Sequence, residues 1–430
     1  MITKLKFLLA ALLLSVLYST AQMNTASPYS RFGTGEITHS GFAHNLALGN
    51  SGIALRSGSR INYFNPASFT SIDSMSFIFD FGLNFSTHEY KTNDFTKTFN
   101  NYNIDHIAIA FPVTKWWKSS VGVIPYSAVG YNIKEQYLIP VVGITDYFHE
   151  GTGGISRFII GNGFKLGEEL SVGVNLSYLF GYQNYTQRVQ FPNDPYSGIT
   201  LTENNLKIKG MTYNFGLQYH KTILDKYFFT LGGIFDNKIN LKGEDFNSIS
   251  VFYPGTANTI GDSITVNPNY SVVADTTNGK VTYPARTGIG LSLGIKDKLI
   301  ITGEYSTQQW SKAMIMGKSD SLVNSSSMNF GVEYTPGNSG SIKKYFNRIH
   351  YRIGGYYINS NLRLRETQLK DYGITFGVGL PFRNTKTSFN LGFVLGQKGT
   401  LKNNLVKENY TLINFSMTFH DLWFIKTVID

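Results

Sequence analysis

The sequence predicts an all-β protein, a transmembrane antiparallel β-barrel of about 14 strands. Three observations predict it: an export leader, a composition rich in glycine and aromatic residues but poor in charge, and repeated two-residue alternation. The alternation is strict over Gly288–Ile295, where glycine or serine alternates with large aliphatic residues. Successive strand residues point to opposite faces, so one face here is bare and the other is hydrocarbon. This pattern indicates a wall between lipid and a crowded or wet interior.

The first 21 residues predict a secretory signal peptide. Lys4 and Lys6 precede the apolar run Phe7–Leu17, and small residues lead to a cleavage site after Ala21. The alternative is a membrane-anchoring helix, which needs about 20 apolar residues. The run is too short for that, so we expect residues 1–21 to be removed. No cysteine follows the cleavage point, which argues against a lipid anchor.

Composition narrows the class of protein. Hydrophobic residues make up 42% of the chain and aromatic residues 15%, while charged residues make up only 15%. Soluble domains typically carry ~25% charged residues. With 43 glycines in an exported chain, this composition fits an outer-membrane barrel of a Gram-negative bacterium. The net charge of +10 is scattered along the chain, which makes nucleic acid a poor partner.

Alternating segments supply the strands of the barrel, and residues 74–430 are assigned to it. Counting them gives about 14. They centre near residues 80, 107, 125, 160, 177, 213, 233, 290, 304, 331, 353, 376, 392 and 415. A soluble all-β secreted protein would also alternate. Strands that place glycine, serine and asparagine opposite the apolar face are hard to close into a dry core, however, so the barrel is favoured.

The connections test the same prediction, because short periplasmic turns alternate with longer external loops in such barrels. Residues 114–118, 165–169 and 224–226 are the expected short turns. Residues 135–153, 190–204 and 242–280 are the expected external loops, the last with little sheet character. Residues 22–73 lack sustained alternation and predict a compact segment ahead of the strands, or else a flexible leader.

Several short motifs resemble a known family. They are Asn65-Pro66-Ala67 before the first strand, the upstream stretches 27–33 and 48–54, Val123-Ile124-Pro125-Tyr126, and the closing Trp423-Phe424. Together they resemble the FadL/TodX family of outer-membrane transport proteins, in the form found among Bacteroidetes. The resemblance implies a 14-stranded barrel whose segment 22–73 folds into the lumen as a hatch. It also implies that a kink in the third strand opens the wall beside the hatch.

The matched residues have physical roles of their own. Pro125 cannot donate a ladder hydrogen bond, so it predicts either a break or bulge that serves as a lateral-opening kink, or simply a strand end. Pro66 fixes a turn and Asn65 can bond local backbone, so with Ala67 they either form a ligand-linked hatch motif or only shape the hatch. Hatch arginines are candidate contacts for a carboxylate, or caps of hatch turns. They are Arg31, Arg56 and Arg60.

The predicted inner face carries polar residues that could act in the lumen. They are Asp80, His106, Glu304, Glu333, His350 and Arg352. One interpretation is a network of paired charges that holds wall and hatch together, which is favoured because unpaired interior charges are costly. The other is a polar contact for the head group of an amphipathic ligand.

Catalysis and cofactors find little support in the sequence. The eight histidines are dispersed, and no close pair has metal-ligand spacing. Neither a Gly-x-Ser-x-Gly elbow nor a phosphate-binding Gly-x-x-x-x-Gly-Lys loop is present. The absence of cysteine excludes thiolate metal sites. We therefore expect a protein that is not an enzyme and has no metal or cofactor.

The sequence leaves three functions open. The resemblance implies passive uptake of hydrophobic or amphipathic small molecules, such as long-chain fatty acids or aromatic hydrocarbons. The alternative is an accessory barrel of type IX protein secretion, as in PorV-like relatives, which would bind a partner channel or cargo. A general porin is the third. The expected partners are outer-membrane lipid, a hydrophobic ligand and, under the alternative, a secretion protein.

Overall fold

The structure is a computed structural model that describes residues 25–38, 41–194, 197–252, 258–260, 263–265, 271–337, 345–383 and 385–422. The predicted signal peptide and the closing Trp423-Phe424 lie outside the described residues. In the described part of the chain, no helix combines the length and the apolar character needed to cross a membrane.

Fourteen long strands form the wall. In chain order they are β1 (Ser76–Lys91), β2 (Thr96–Pro112), β3 (Trp117–Ile139), β4 (Gly143–Lys165), β5 (Leu170–Gln190), β6 (Ile199–Ile223), β7 (Tyr227–Asp236 and Ile239–Phe252), β8 (Ser271–Tyr283 and Arg286–Ile295), β9 (Leu299–Gln308), β10 (Ser325–Tyr334), β11 (His350–Leu364), β12 (Thr367–Pro381), β13 (Ser388–Gly399) and β14 (Lys407–Leu422). Each pairs antiparallel with the next. The last returns to β1, from Ser76 opposite Leu422 to Lys91 opposite Lys407. The predicted closed barrel of 14 strands is confirmed.

The outside of the barrel carries the predicted hydrocarbon face. In β8, Ile289, Leu291 and Leu293 are 67%, 41% and 45% exposed. The alternate positions, Gly288 and Gly290, point inward, where an added Cβ would lie 2.8–3.0 Å from side-chain atoms of Ile53. The bare face of this strand therefore makes room for the N-terminal segment, defined here as residues 25–73.

The N-terminal segment contacts the inner face around the barrel. An added Cβ would lie 2.4 Å from Pro66 at Gly173 in β5, 2.5 Å from Leu48 at Gly331 in β10, 2.4 Å from Ala47 at Gly377 in β12 and 3.1 Å from Ala43 at Gly392 in β13. Its large apolar residues Phe42, Ile53 and Ile61 are at most 1% exposed. Glycine on the wall thus permits close packing between the wall and a buried core inside the barrel.

The predicted long external loops are wrong in part. Residues 135–153 are strand except for the turn 140–142, and residues 242–252 and 271–280 belong to β7 and β8. The strands β3 to β6 are 21 to 25 residues long, although crossing a membrane takes about 9–11. Beyond the apolar band the outer face carries exposed charged residues such as Lys207, Lys242 and Glu244. Backbone pairing continues there although the apolar outer face stops.

The two ends of the barrel differ only in part as predicted. At one end, called the turn end, the connections 113–116, 166–169, 224–226 and 296–298 are short. The opposite end, called the loop end, carries the longer connections 191–198, 309–324 and 400–406. The difference is not uniform, because the loop end also has the short connections 92–95, 140–142 and 365–366, and the turn end also has the longer connection between Tyr334 and His350.

Candidate functional site

The wall contains a seam between β2 and β3. These strands share a ladder only from Ile107 opposite Val123 to Pro112 opposite Lys118. Beyond that point β2 pairs with β1 and β3 pairs with β4, but the described residues 96–106 and 124–139 form no ladder with each other. We call these two facing edges the seam. On the outer face of the seam edge of β2, Tyr102 and Ile104 are 58% and 56% exposed, so the seam begins within the apolar band.

Both flanking strands, β2 and β3, bulge at the corner of the seam that lies nearest the turn end. The register between β1 and β2 shifts after Gly82, which leaves Asp105 as an extra residue. The register between β3 and β4 shifts after Pro125, which leaves Tyr126 as an extra residue. Proline offers no N–H to a ladder, so it suits a bulge. Pro125 lies inside β3 at this register shift, so it is a bulge and not a strand end. That the bulge serves as a lateral opening stays a prediction.

A strand of the N-terminal segment occupies the free edge of β3. Glu36 pairs antiparallel with Ala128, and Ile37 pairs with Ser127. The other edge of β3 is already paired with β4 at these positions, so Glu36–Ile37 stands where β2 would continue the wall. The N–H of Thr38 extends the contact to the carbonyl of Tyr126, at 2.9 Å. The N-terminal segment therefore completes the wall at the turn-end corner of the seam.

The occupying strand is also anchored to β13 and to the connection before β14. Glu36 forms an ion pair with Lys398 of β13 and accepts a hydrogen bond from Thr25 at 3.3 Å. Burial opposes ionisation of Glu36, but the ammonium of Lys398 outweighs it and lowers the pKa of the carboxyl group. Nearby, Tyr29 donates a hydrogen bond to the carbonyl of Val406. These contacts tie the strand to β13 and to the residue just before β14, while its backbone pairs with β3.

A buried cluster of charged side chains lies next to the seam, at its turn-end corner. His106 bonds Asp105 through Nδ1 at 2.7 Å and Asp80 through Nε2 at 2.8 Å. Its ring stacks on Phe42, with centroids 3.5 Å apart, and Thr418 donates to Asp80 at 2.5 Å. The predicted inward positions of Asp80 and His106 are confirmed. Asp105 was missed because plain alternation would place it outward, and only the bulge turns it in.

A cationic side chain borders the same corner. The Arg157 guanidinium lies 5.2 Å from the ring centroid of Tyr63 and 5.6 Å from that of Tyr126. Such stacking over aromatic faces is favourable for arginine. Tyr63 belongs to the N-terminal segment and Tyr126 is the bulged residue of β3, so Arg157 links the two at the seam.

A second cluster binds the N-terminal segment to β10 and β11. Arg60 donates to both carboxylate oxygens of Glu333, at 2.6 and 2.9 Å, and Arg352 Nε donates to Glu333 at 2.6 Å. His350 lies 3.4 Å from Glu333, and Asn390 accepts from Arg352 at 3.0 Å. Burial disfavours the charge on Arg60, but Glu333 outweighs it and raises the pKa of Arg60. These predicted lumen residues form a paired network, as the favoured interpretation expects.

Glu304 and the Asn65-Pro66-Ala67 motif fix the middle of the segment. Glu304 accepts from the N–H groups of Gly52 and Ile53, both at 2.8 Å. Asn65 accepts from the N–H of Ala67 at 3.1 Å and donates to the carbonyl of Ile53 at 2.7 Å. Pro66 is the first residue of the 3₁₀ helix Pro66–Ser71, a position that needs no N–H.

The three candidate arginines do not converge. Arg56 donates to Gln218 and to Thr70, both at 2.9 Å, and burial lowers its pKa to about 10. Arg60 meets the carboxylate of Glu333 instead of an open space. Arg31 is exposed at the end of the 3₁₀ helix Pro28–Arg31. A shared carboxylate site for the three is therefore not formed.

Two glycines of the wall near Asn65 provide a test of the close packing between the wall and the N-terminal segment. A Cβ at Gly216 in β6 would lie 2.0 Å from Asn65 Oδ1, whereas a Cβ at Gly233 in β7 meets nothing within 4 Å. We expect Gly216→Ala to cost about 1–3 kcal/mol of unfolding free energy, because it overpacks the junction. Gly233→Ala is the matched control and should not destabilise. Urea unfolding followed by gel mobility of the folded barrel measures both, and equal losses would contradict the packing described here.

Metal binding has no support in the described residues, where no group of three or more histidine, aspartate or glutamate side chains is placed to hold an ion.

Comparison with known proteins identifies the family. The BamG family model matches residues 1–430. The chain belongs to the BamG family. None of the curated proteins matches it.

Solved structures show which fold this BamG-family barrel shares. The toluene transporter TodX of Pseudomonas putida has a TM-score of 0.58 and 14% identity, covering 90% of this chain and 99% of its own. A FadL homologue of Pseudomonas aeruginosa has a TM-score of 0.58 and 10% identity, with the same coverage. The Ralstonia pickettii toluene transporter TbuX has a TM-score of 0.56 and 14% identity, covering 88% and 98%. The predicted resemblance to FadL/TodX is confirmed in fold.

Proposed function

We propose that this BamG-family barrel lies in the outer membrane of a Gram-negative bacterium and passes hydrophobic or amphipathic small molecules sideways into the lipid. The observation that carries the proposal is the seam, where the ladder between β2 and β3 stops and Glu36–Ile37 stands in for the missing wall. A wall opening at this level connects the lumen with hydrocarbon and not with water. Only a molecule compatible with lipid can use such an exit.

The N-terminal segment acts as the hatch in this proposal. Its pairing with β3 covers just Glu36 and Ile37, so releasing it breaks few ladder bonds. The remainder stays fixed to the wall by the Arg60–Glu333 ion pair and by the bonds of Glu304 to Gly52 and Ile53. Local opening of the short strand, with the core of the segment in place, would give access to the seam.

The substrate class is supported by TodX and TbuX, which share the fold of this barrel and are toluene transporters. The proposal for this chain covers long-chain fatty acids and aromatic hydrocarbons. The test is the initial uptake rate of a labelled long-chain fatty acid, and of labelled toluene, by cells of a Gram-negative host that lacks its own channel. Expression should raise uptake of at least one. Rates equal to the empty host for both would overturn the proposal, and a large ion conductance in planar bilayers would favour a general porin.

A second candidate function is an accessory role in a protein-handling machinery, as the type IX alternative holds. The observation that favours it is the tall sheet of β3 to β6, which continues past the apolar band at the loop end. At its tip Leu138 and Val142 are 79% and 52% exposed, and Val141 is fully exposed with a φ of 72°. Exposed apolar residues and backbone strain both occur at interaction sites.

The tip separates the two functions. If the barrel binds a partner protein there, Leu138→Asp with Val142→Asp should release that partner during affinity purification from native membranes while uptake is unchanged. A partner retained by the double variant, or a monomeric barrel from gently solubilised membranes, would count against the accessory role.

We propose that the barrel has no catalytic role. Ser86 Oγ lies 2.9 Å from His88 Nε2, and His88 Nδ1 lies 2.6 Å from Glu408, a chain of residue types that could serve acyl transfer. An oxyanion needs preorganised donors beside the serine. The strand around Ser86 is paired on both edges, with Leu412 and Asn101 opposite the serine, so the backbone N–H groups next to it are used by the ladders. A fluorophosphonate probe should leave Ser86 unlabelled, and labelling would contradict this.

A further inference from the structure

Three lysines stand in one row on the outer face of the barrel. Lys209 of β6 is directly opposite Lys242 of β7, which is directly opposite Lys280 of β8. All three are exposed, and the residues beside them in sequence point inward, with Ile208 and Leu241 at 0% exposure. Side chains directly opposite on neighbouring strands have Cβ atoms about 5 Å apart. The row therefore gathers three ammonium groups on one small patch of the outer surface.

The described residues offer the row no ion-pair partner. No ion pair among the described residues includes Lys209, Lys242 or Lys280. The carboxylate of Glu244, two residues from Lys242, lies 3.8 Å from Lys207. Like charges directly opposite each other destabilise a sheet. An external anion that bridges the row would relieve this repulsion.

The row lies at the edge of the apolar band. Two residues after Lys209, toward the turn end, Met211 is 49% exposed, and Tyr213 and Phe215 continue the same outward face at 40% and 48%. Met314, opposite Thr282 two residues beyond Lys280, is 51% exposed. Two residues of a strand span about 7 Å. The outer surface thus changes from apolar methionine and aromatic side chains to a row of ammonium groups within this distance, which is about the depth of one lipid head group.

We propose that the row of Lys209, Lys242 and Lys280, with Met211 and Met314 beneath it, is a binding site for a phosphorylated glycolipid of the outer leaflet, of the lipid A type. Its phosphate would lie on the three ammonium groups and its acyl chains on the methionines. Lysine is a common point-charge contact of phosphate, and methionine adapts to irregular apolar surfaces. The site rests on the outer-membrane placement proposed above but not on the transport of any ligand.

The test is native mass spectrometry of the full barrel released from detergent with added diphosphoryl lipid A. A triple variant, Lys209→Gln with Lys242→Gln and Lys280→Gln, should bind lipid A at least about tenfold more weakly. The matched control changes three exposed lysines at the turn end of the same region to glutamine. They are Lys226, Lys296 and Lys298. The control should bind within about twofold of the unchanged protein.

Two further arms make the proposal falsifiable. Dephosphorylated lipid A, and phosphatidylglycerol in place of lipid A, should both bind the unchanged barrel more weakly than diphosphoryl lipid A. Equal binding of either, or equal loss in the control variant, would overturn the site. Mobility of the unboiled protein on gels establishes that both variants are folded. Uptake of hydrophobic substrate should not differ between the variants, so failure of this site and failure of the proposed transport are distinguishable.

Discussion

A disulfide between Ile37→Cys and Ser127→Cys is expected to lower uptake of hydrophobic substrate at least about tenfold, to the level of cells without the barrel. These residues are directly opposite each other where the N-terminal strand stands in for β2. Their separation in an antiparallel pair suits a disulfide. The chain has no cysteine of its own, so the engineered pair has no competing thiol. Reduction should restore uptake.

The matched control is a disulfide elsewhere in the wall. Ile301 of β9 is directly opposite Val332 of β10, at positions away from the seam. Cysteines there should cross-link to a similar extent and leave uptake unchanged. Normal uptake through the oxidised Ile37–Ser127 variant would mean that the strand does not have to move. Loss of uptake in the control would mean that the assay reports barrel rigidity in general.

Replacing Glu333 is expected to be the most destabilising single change in the lumen. Glu333→Gln leaves the buried guanidinium groups of Arg60 and Arg352 without their shared carboxylate. Removing one partner of a buried ion pair typically costs about 3–5 kcal/mol. The free energy of unfolding in urea should fall by that amount, and the N-terminal segment should become accessible to protease, because Arg60 is one of its ties to the wall.

An exposed ion pair of the same type provides the control. Glu244 and Lys207 lie 3.8 Å apart, with side chains 49% and 60% exposed. Glu244→Gln should change the unfolding free energy by no more than about 0.5 kcal/mol, since water screens such pairs. A loss at Glu333 as small as that at Glu244 would show that the lumen network does not hold the segment.

The barrel could be predicted because lipid forces strict alternation. Each of the 14 predicted segments falls on a strand, and Gly288–Ile295 presents its glycines inward as expected. Outside the lipid this constraint disappears. The outer halves of β3 to β8 therefore look like loops in the sequence, although backbone pairing extends them.

The site could be predicted only in part. Asp80, His106, Glu333 and Arg352 follow from inward parity, and Pro125 marks a bulge because it lacks an N–H. Asp105 breaks the parity, and nothing local in the sequence announces a bulge there. The pairing of Glu36–Ile37 with β3 depends on chain geometry over about 90 residues, beyond the reach of local patterns. The Bacteroidetes form and the likeness to PorV stay predictions.

In the proposed function, substrate leaves through the seam between β2 and β3. The most direct measurement is photolabelling with a fatty acid that carries a diazirine on its chain, followed by mass spectrometry of the labelled residues. Label is expected on both edges of the seam, around Tyr102–Asp105 and Tyr126–Gly130, and should be lost in the oxidised Ile37–Ser127 variant. Label confined to the far wall, β9 to β12, or unchanged by the disulfide, would contradict it.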